Sequence, residues 1–122
     1  METKLLGTIS VDVASALGNS ILAGMKVYLG EKNMEHMKNA HPDDYLKYED
    51  YLPMIIESPD YVGINRKDNS IEFVKEFYIN DDYVKVAVRA STSGIFYARS
   101  LYTLNRNRVD RFVENGTLIR MK

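Results

Sequence analysis

The sequence predicts an α+β fold: N-terminal helices packed on a four-stranded antiparallel sheet, with a closing C-terminal helix. Three observations carry this. In the first half, side chains recur at helical spacing, at Met34, Met37 and His41 and again at Tyr45, Tyr48, Leu52, Ile55 and Ile56. From residue 61 onward the period changes to two, through short runs separated by polar turns. Asn105–Asn115 then returns to helical spacing, with Val109, Phe112 and Val113 as its apolar stripe. Helices segregated from an antiparallel meander mark an α+β domain, whose sheet lays one face on the helices and can leave the other open and polar.

Taken in order, Leu5–Ser10 is expected to be a short strand, and Ser10 or Asp12 caps a brief helix over Val11–Leu17 that Gly18 ends. Met25–Leu29 is a second short strand. Glu31–Ala40 is a helix. His41-Pro42-Asp43-Asp44 is a helix junction, because the residue before proline avoids the α region and proline is favoured at the first helical position. His41 is thus expected at an N-cap, with Asp43 and Asp44 in a first turn where the helix dipole favours acids. Pro53 should kink or restart the helix that follows. Tyr61–Asn65, Ile71–Tyr78, Tyr83–Ser91 and Gly94–Leu104 are the four predicted strands.

The 122 residues fit one domain spanning 1–122, able to bury roughly two thirds of its unfolded surface. There is no cysteine, which excludes disulfides and thiolate zinc sites. No apolar run approaches the ~20 residues of a membrane span. The N-terminal residues lack the basic head and apolar stretch of a signal peptide, so a cytoplasmic location without membrane attachment is expected. The net charge of −1 hides an asymmetry. Residues 31–60 hold eight acids and three bases, whereas residues 83–111 hold Lys85, Arg89, Arg99, Arg106, Arg108 and Arg111 against the single acid Asp110. Arginine suits bidentate phosphate or carboxylate contacts better than lysine does. An anion-binding second half and a merely solvated dipolar surface both fit this pattern.

The loop Thr92-Ser93-Gly94 fixes the register of the last hairpin. A three-residue loop with glycine last is a common connection. It pairs Ser91 with Ile95, Arg89 with Tyr97 and Ala87 with Arg99. Val84, Val86, Val88 and Ala90 then share an apolar face with Phe96, Ala98 and Leu104, interrupted by Ser100 and Tyr102. Arg89, Ser91, Tyr97 and Arg99 collect on the opposite face, with Lys85 further along. A two-residue loop would move Arg99 to the apolar face, since a one-residue slip carries every side chain across the sheet. An ordinary solvated face remains the alternative to a site.

His36 and His41 are the only imidazoles. Five residues apart, about 140° around a helix, they do not make the paired ligands that an i, i+4 spacing gives. No cofactor and no metal site is expected. There is no glycine-rich phosphate loop, no nucleophile elbow and no acidic cation loop. Lys75-Glu76 reads as a catalytic pair or as the alternating charge of a wet strand edge.

Four stretches occur together in a specific order: Asn33–Tyr48, Ser58–Asn65, Ile71–Glu76, and Val86–Ser91 followed by Phe96–Tyr102. In that order and spacing the chain resembles the phage-encoded barnase–EndoU–colicin–RelE-like nuclease domains, third subgroup, from about Val27 to Leu118. The resemblance implies a barnase/RelE-like fold of helices followed by a four-stranded sheet. It also implies metal-independent RNA cleavage of phage or mobile-element origin, toxin-like in character, with a cognate immunity protein or antitoxin as a conceivable second partner beside RNA. By motif match, the implied site is His36, His41, Arg89, Ser91, Tyr97 and Arg99. In such a site the ribose 2′-OH attacks the adjacent phosphorus. A histidine moves a proton, Arg89 and Arg99 hold the phosphate, and Ser91 bonds a phosphate oxygen. Tyr97 and Tyr102 stack a base or donate a proton, and Lys75 and Lys85 extend the substrate contacts. An inactive module that uses the same cationic face to bind nucleic acid or protein, and a small-group transferase, are the other readings.

Overall fold

The computed structural model describes residues 3–121. Strand β1 (Thr3–Thr8) leads to helix α1 (Val11–Ala16), a 3-10 turn at Ser20–Leu22 and strand β2 (Lys26–Gly30). Helices α2 (Glu31–Ala40) and α3 (Pro42–Tyr48), a 3-10 turn at Glu49–Tyr51 and helix α4 (Leu52–Glu57) follow. Strands β3 (Tyr61–Ile64), β4 (Ile71–Phe77), β5 (Asp82–Ala90) and β6 (Phe96–Leu104) form the meander. Helix α5 (Arg106–Glu114) and the two-residue strand β7 (Ile119–Arg120) close the described chain. No helix among the described residues is long and apolar enough to cross a membrane.

Local chemistry sets these boundaries. Ser10 Oγ accepts the Val13 amide at 3.0 Å and opens α1, and Asn105 Oδ1 accepts the Arg108 amide at 2.8 Å and opens α5. Pro42 and Pro53 each sit in the first turn of a helix, so the long helical pattern of residues 31–57 is cut into three short helices.

The sheet corrects the four-stranded antiparallel expectation. It has seven strands in the order β1-β2-β6-β5-β4-β3-β7 and is mixed, because β2 runs parallel to β6 through Val27 opposite Phe96 and Tyr28 opposite Tyr97. The two short strands expected in the first half are thus β1 and β2 of the same sheet. A parallel pairing between segments some seventy residues apart leaves no local signature, and β7 is too short to show a period.

The two sheet faces are both used. On one, Val86, Val88, Phe73, Ala98 and Leu101 pack with Met37, Tyr48, Leu52, Ile55 and Ile56 from the helices. On the other, α5 lays Val109 over Tyr61, Val74, Tyr83 and Leu104, with Phe112 and Val113 alongside. The second face is thus covered by α5 at one end and open at the other, where β5, β6 and β2 meet. Close packing also seats the C-terminal segment: a Cβ on Gly63 would lie 2.0 Å from the Thr117 carbonyl oxygen, so only glycine fits there.

Candidate functional site

The last hairpin builds the open end of this second face. Ser91 donates its amide to Ile95 O at 2.8 Å, Gly94 donates to Ser91 O at 2.9 Å, and Gly94 has φ +85°. This is the three-residue loop with a left-handed glycine. Arg89 pairs with Tyr97, as that loop requires. The expected pair of Ala87 with Arg99 does not form. Ala87 faces Ser100, Val88 faces Ala98, and Arg99 is the extra residue of a β-bulge.

The bulge explains the two polar interruptions in the apolar face. Beyond Arg99 the alternation is reset, so Leu101 opposes Val86 in the core, while Ser100 and Tyr102 join the open face opposite Ala87 and Lys85. Leu104 moves as well: it opposes Tyr83 and packs under α5 instead of the N-terminal helices. Arg99 and Ser100 together oppose Ala87, a residue of the open face. The Arg99 Nε is buried and has no hydrogen-bond partner among the described residues. A buried donor without a partner is uncommon.

Arg89 is half exposed and approaches Asp68 at 4.0 Å. The Ser70 amide and hydroxyl, which donate to Asp68 at 2.9 and 2.7 Å, together with the Arg89 charge hold that carboxyl below its usual range. Tyr97 packs at 6.4 Å from Tyr28 of β2. Ser91 Oγ lies 2.9 Å from Ser93 Oγ at the hairpin base and accepts the Ile95 amide at 3.3 Å.

The histidines separate. His41 ends α2 and begins α3 with φ −142° and ψ 70°, and its side chain makes no capping bond. Its imidazole instead stacks on Tyr102, with ring centroids 5.1 Å apart and planes 28° apart. The sheet edge makes this possible. β2 pairs with β6 only at Phe96 and Tyr97, which leaves the edge of β6 beyond Arg99 open to the α2–α3 junction. There Asp44 of α3 accepts the Thr103 amide at 3.1 Å. A helix junction lying along an edge thus carries an imidazole round to the open face. His36 is exposed on α2, and among the described residues no hydrogen bond, ion pair or ring contact ties it to the Arg89–Tyr97–Arg99 face.

Two substrate-contact expectations meet a different reality. Lys85 is not a free cation: its Nζ lies 2.6 Å from Glu72 Oε2, with side chains 10% and 5% exposed. Its ammonium also sits 5.4 Å from the Tyr102 ring centre and 5.8 Å from that of Phe112. Burial opposes the charge, but the Glu72 bond, the Tyr102 hydroxyl and the Glu72 charge outweigh it and raise the lysine above its ordinary value. Lys75 points to the helix side, opposite Val84, where it donates to Ser58 O at 2.6 Å and faces Asp60 at 3.9 Å. β4 is an internal strand, but β3 pairs with it only as far as Val74, so Lys75 and Glu76 lie half-buried on a stretch of β4 that β3 leaves open. Two surface clefts of about 510 and 480 Å³, both bordered by Lys75, Glu76 and Tyr78, lie away from Arg89 and Arg99. They carry cations of their own, Lys75 with Arg120 in one and Lys75 with Lys47 in the other, but none from the hairpin, so the open shelf that holds Arg89 and Arg99 is the candidate site.

Sequence reasoning missed Glu72, which also accepts from Asn65 Nδ2 at 3.3 Å, and Tyr28. An acid flanked by Ile71 and Phe73 in a strand was the visible signal for the first; nothing local marked the second. No group of three His, Asp or Glu side chains that could hold a metal ion occurs among the described residues.

No curated protein and no solved structure matches the chain. A family model, however, matches residues 4–111, nearly the whole of the sheet and all of the hairpin face. The chain belongs to the phage-Barnase-EndoU-ColicinE5/D-RelE like nuclease 3 family.

Proposed function

We propose that the chain is a metal-independent endoribonuclease, one barnase/RelE-like domain that cleaves RNA by attack of a ribose 2′-OH on the adjacent phosphorus. The observation that carries this is Arg99. A bulge turns it onto an open sheet face beside Arg89 and Tyr97, and its buried Nε lacks an acceptor. A phosphate oxygen supplies that acceptor, and a guanidinium matches the charge that grows on phosphorus in the transition state. His41, brought to the same face on Tyr102, is the group suited to moving a proton between the 2′-OH and the leaving 5′-oxygen. An open shelf, unlike a closed pocket, admits a polymer. The toxin-like role, the immunity or antitoxin partner and the cytoplasmic setting belong to this same proposal.

The test is Arg99→Ala. Loss of one such donor typically costs about 10²–10³ in turnover. Because Nε has no hydrogen-bond partner among the described residues, the melting temperature should hardly move. Unchanged cleavage by the variant would remove Arg99 from the site. A second reading, an RNA-binding module without turnover, is favoured by one observation: among the described residues a ring contact ties His41, and not His36, to the face. Retained RNA affinity with no cleavage in the wild type would select it.

A further inference from the structure

Three layers lie in sequence on the open face. Glu72 holds the Lys85 ammonium at 2.6 Å, Lys85 lies 5.4 Å from the Tyr102 ring centre, and that ring carries the His41 imidazole at 5.1 Å. We propose that Tyr102 is a positioning residue: its ring, seated on the Lys85–Glu72 pair, is the platform that holds the His41 imidazole at the edge of the Arg99 face. The role rests on the endoribonuclease reading and adds to it a residue that acts through another.

The physical case has three parts. Among the described residues the His41 side chain makes no hydrogen bond or ion pair. Its side chain makes no capping bond and the residue is exposed, so without Tyr102 the imidazole would sweep several rotamers in water. Tyr102 is itself fixed from below, since Lys85 opposes it across the hairpin and is pinned by a carboxylate that is almost fully buried. A cation beneath an aromatic ring holds the ring in place electrostatically. Finally, the stacked imidazole occupies the surface that Tyr102 would otherwise offer to a nucleobase. Tyr97, whose ring lies beside Gly30 and is tilted against Tyr28 at 6.4 Å, is then the better base-stacking residue. An imidazole held about three residues along β6 from Arg99, roughly 10 Å, reaches the scissile group across one nucleotide.

Two readouts test this. In the proton NMR spectrum of the wild type, the His41 ring signals should lie upfield of those of His36, shifted by the Tyr102 ring current, and H41Q assigns them. Coincident signals for the two histidines would overturn the stack without any substitution at Tyr102. In steady-state cleavage of an RNA oligonucleotide, Y102L should lower kcat roughly tenfold to a hundredfold with KM unchanged, the usual cost of a misplaced catalytic group. Y102F, which keeps the ring, should restore kcat. Equal loss in Y102F would assign the work to the hydroxyl, and a raised KM with normal kcat in Y102L would return Tyr102 to substrate binding; either overturns the platform. A wild type that cleaves no RNA sinks the endoribonuclease reading and this role together, whereas an active Y102L sinks the role alone.

Discussion

Removing one partner of the Glu72–Lys85 pair should be among the costliest single changes in the protein. Both side chains are nearly sealed, at 5% and 10% exposure, and they meet at 2.6 Å. Lys85→Met keeps the length and the apolar stem but leaves the Glu72 carboxylate buried with only Asn65 as a donor. An uncompensated buried charge costs about 3–5 kcal/mol. Unfolding entropy near 2.1 cal/mol/K per residue gives about 0.26 kcal/mol/K for a chain of this size, so the melting temperature should fall by about 12–20 °C. The double variant Lys85→Met with Glu72→Met removes both charges at similar volume and should recover most of that loss, because replacing a buried pair by apolar groups is often neutral or stabilising. Calorimetry or thermal circular dichroism of wild type, both single variants and the double variant closes the cycle. A Lys85→Met protein melting within about 4 °C of wild type would mean that water reaches Glu72 and that the layered arrangement under Tyr102 is not sealed.

Alkaline titration gives a second check. Burial and hydrogen bonds to Asp82 and Glu76 push the Tyr48 and Tyr83 phenols up to about 12, and the Lys85 ammonium is raised as well. All three bind their protons more tightly folded than unfolded, so their contribution is whole below pH ~10 and drains away as the pH climbs toward 12. Tyrosinate absorbance should therefore show most of the nine tyrosines ionising first and a late group appearing together with loss of structure. One smooth transition ending while the fold is intact would contradict the burial of both phenols. At Gly63, alanine would drive a Cβ to 2.0 Å from a backbone oxygen, and no flexible side chain can yield. A loss of about 3 kcal/mol is expected, with release of Leu118–Ile119 from β3 seen as faster amide exchange; a neutral Gly63→Ala would show that the segment is not docked there.

The hairpin was legible because its loop carries stereochemistry: Gly94 after Thr92-Ser93 fixed Arg89 opposite Tyr97. The bulge at Arg99 was legible only as a flaw. Ser100 and Tyr102 interrupted an apolar face, while Leu101 sat on a polar one, and an inserted residue between Ala98 and Ser100 resolves both. The helix boundaries at Pro42 and Pro53 followed from the missing amide of proline. The cover that α5 places on the second face was half visible, since Val109, Phe112 and Val113 form a stripe but say nothing about which side of the sheet receives it. What stayed hidden depended on distant partners. Nothing near Val27 and Tyr28 announces a parallel pairing with Phe96 and Tyr97, and that pairing's early end is what lets His41 reach Tyr102. Lys85 and Lys75 looked like free cations because a sequence shows charge and not the carboxylate or carbonyl that consumes it.

Incubating the purified chain with an end-labelled RNA oligonucleotide and its all-deoxy counterpart, both in excess EDTA, tests the proposed chemistry on one gel. Cleavage of the RNA alone, leaving a 2′,3′-cyclic phosphate end and falling about 10²–10³-fold in Arg99→Ala, is the predicted result. Cleavage of the deoxy strand, or none until Mg²⁺ is restored, would contradict attack by the 2′-OH on a phosphate held by Arg99.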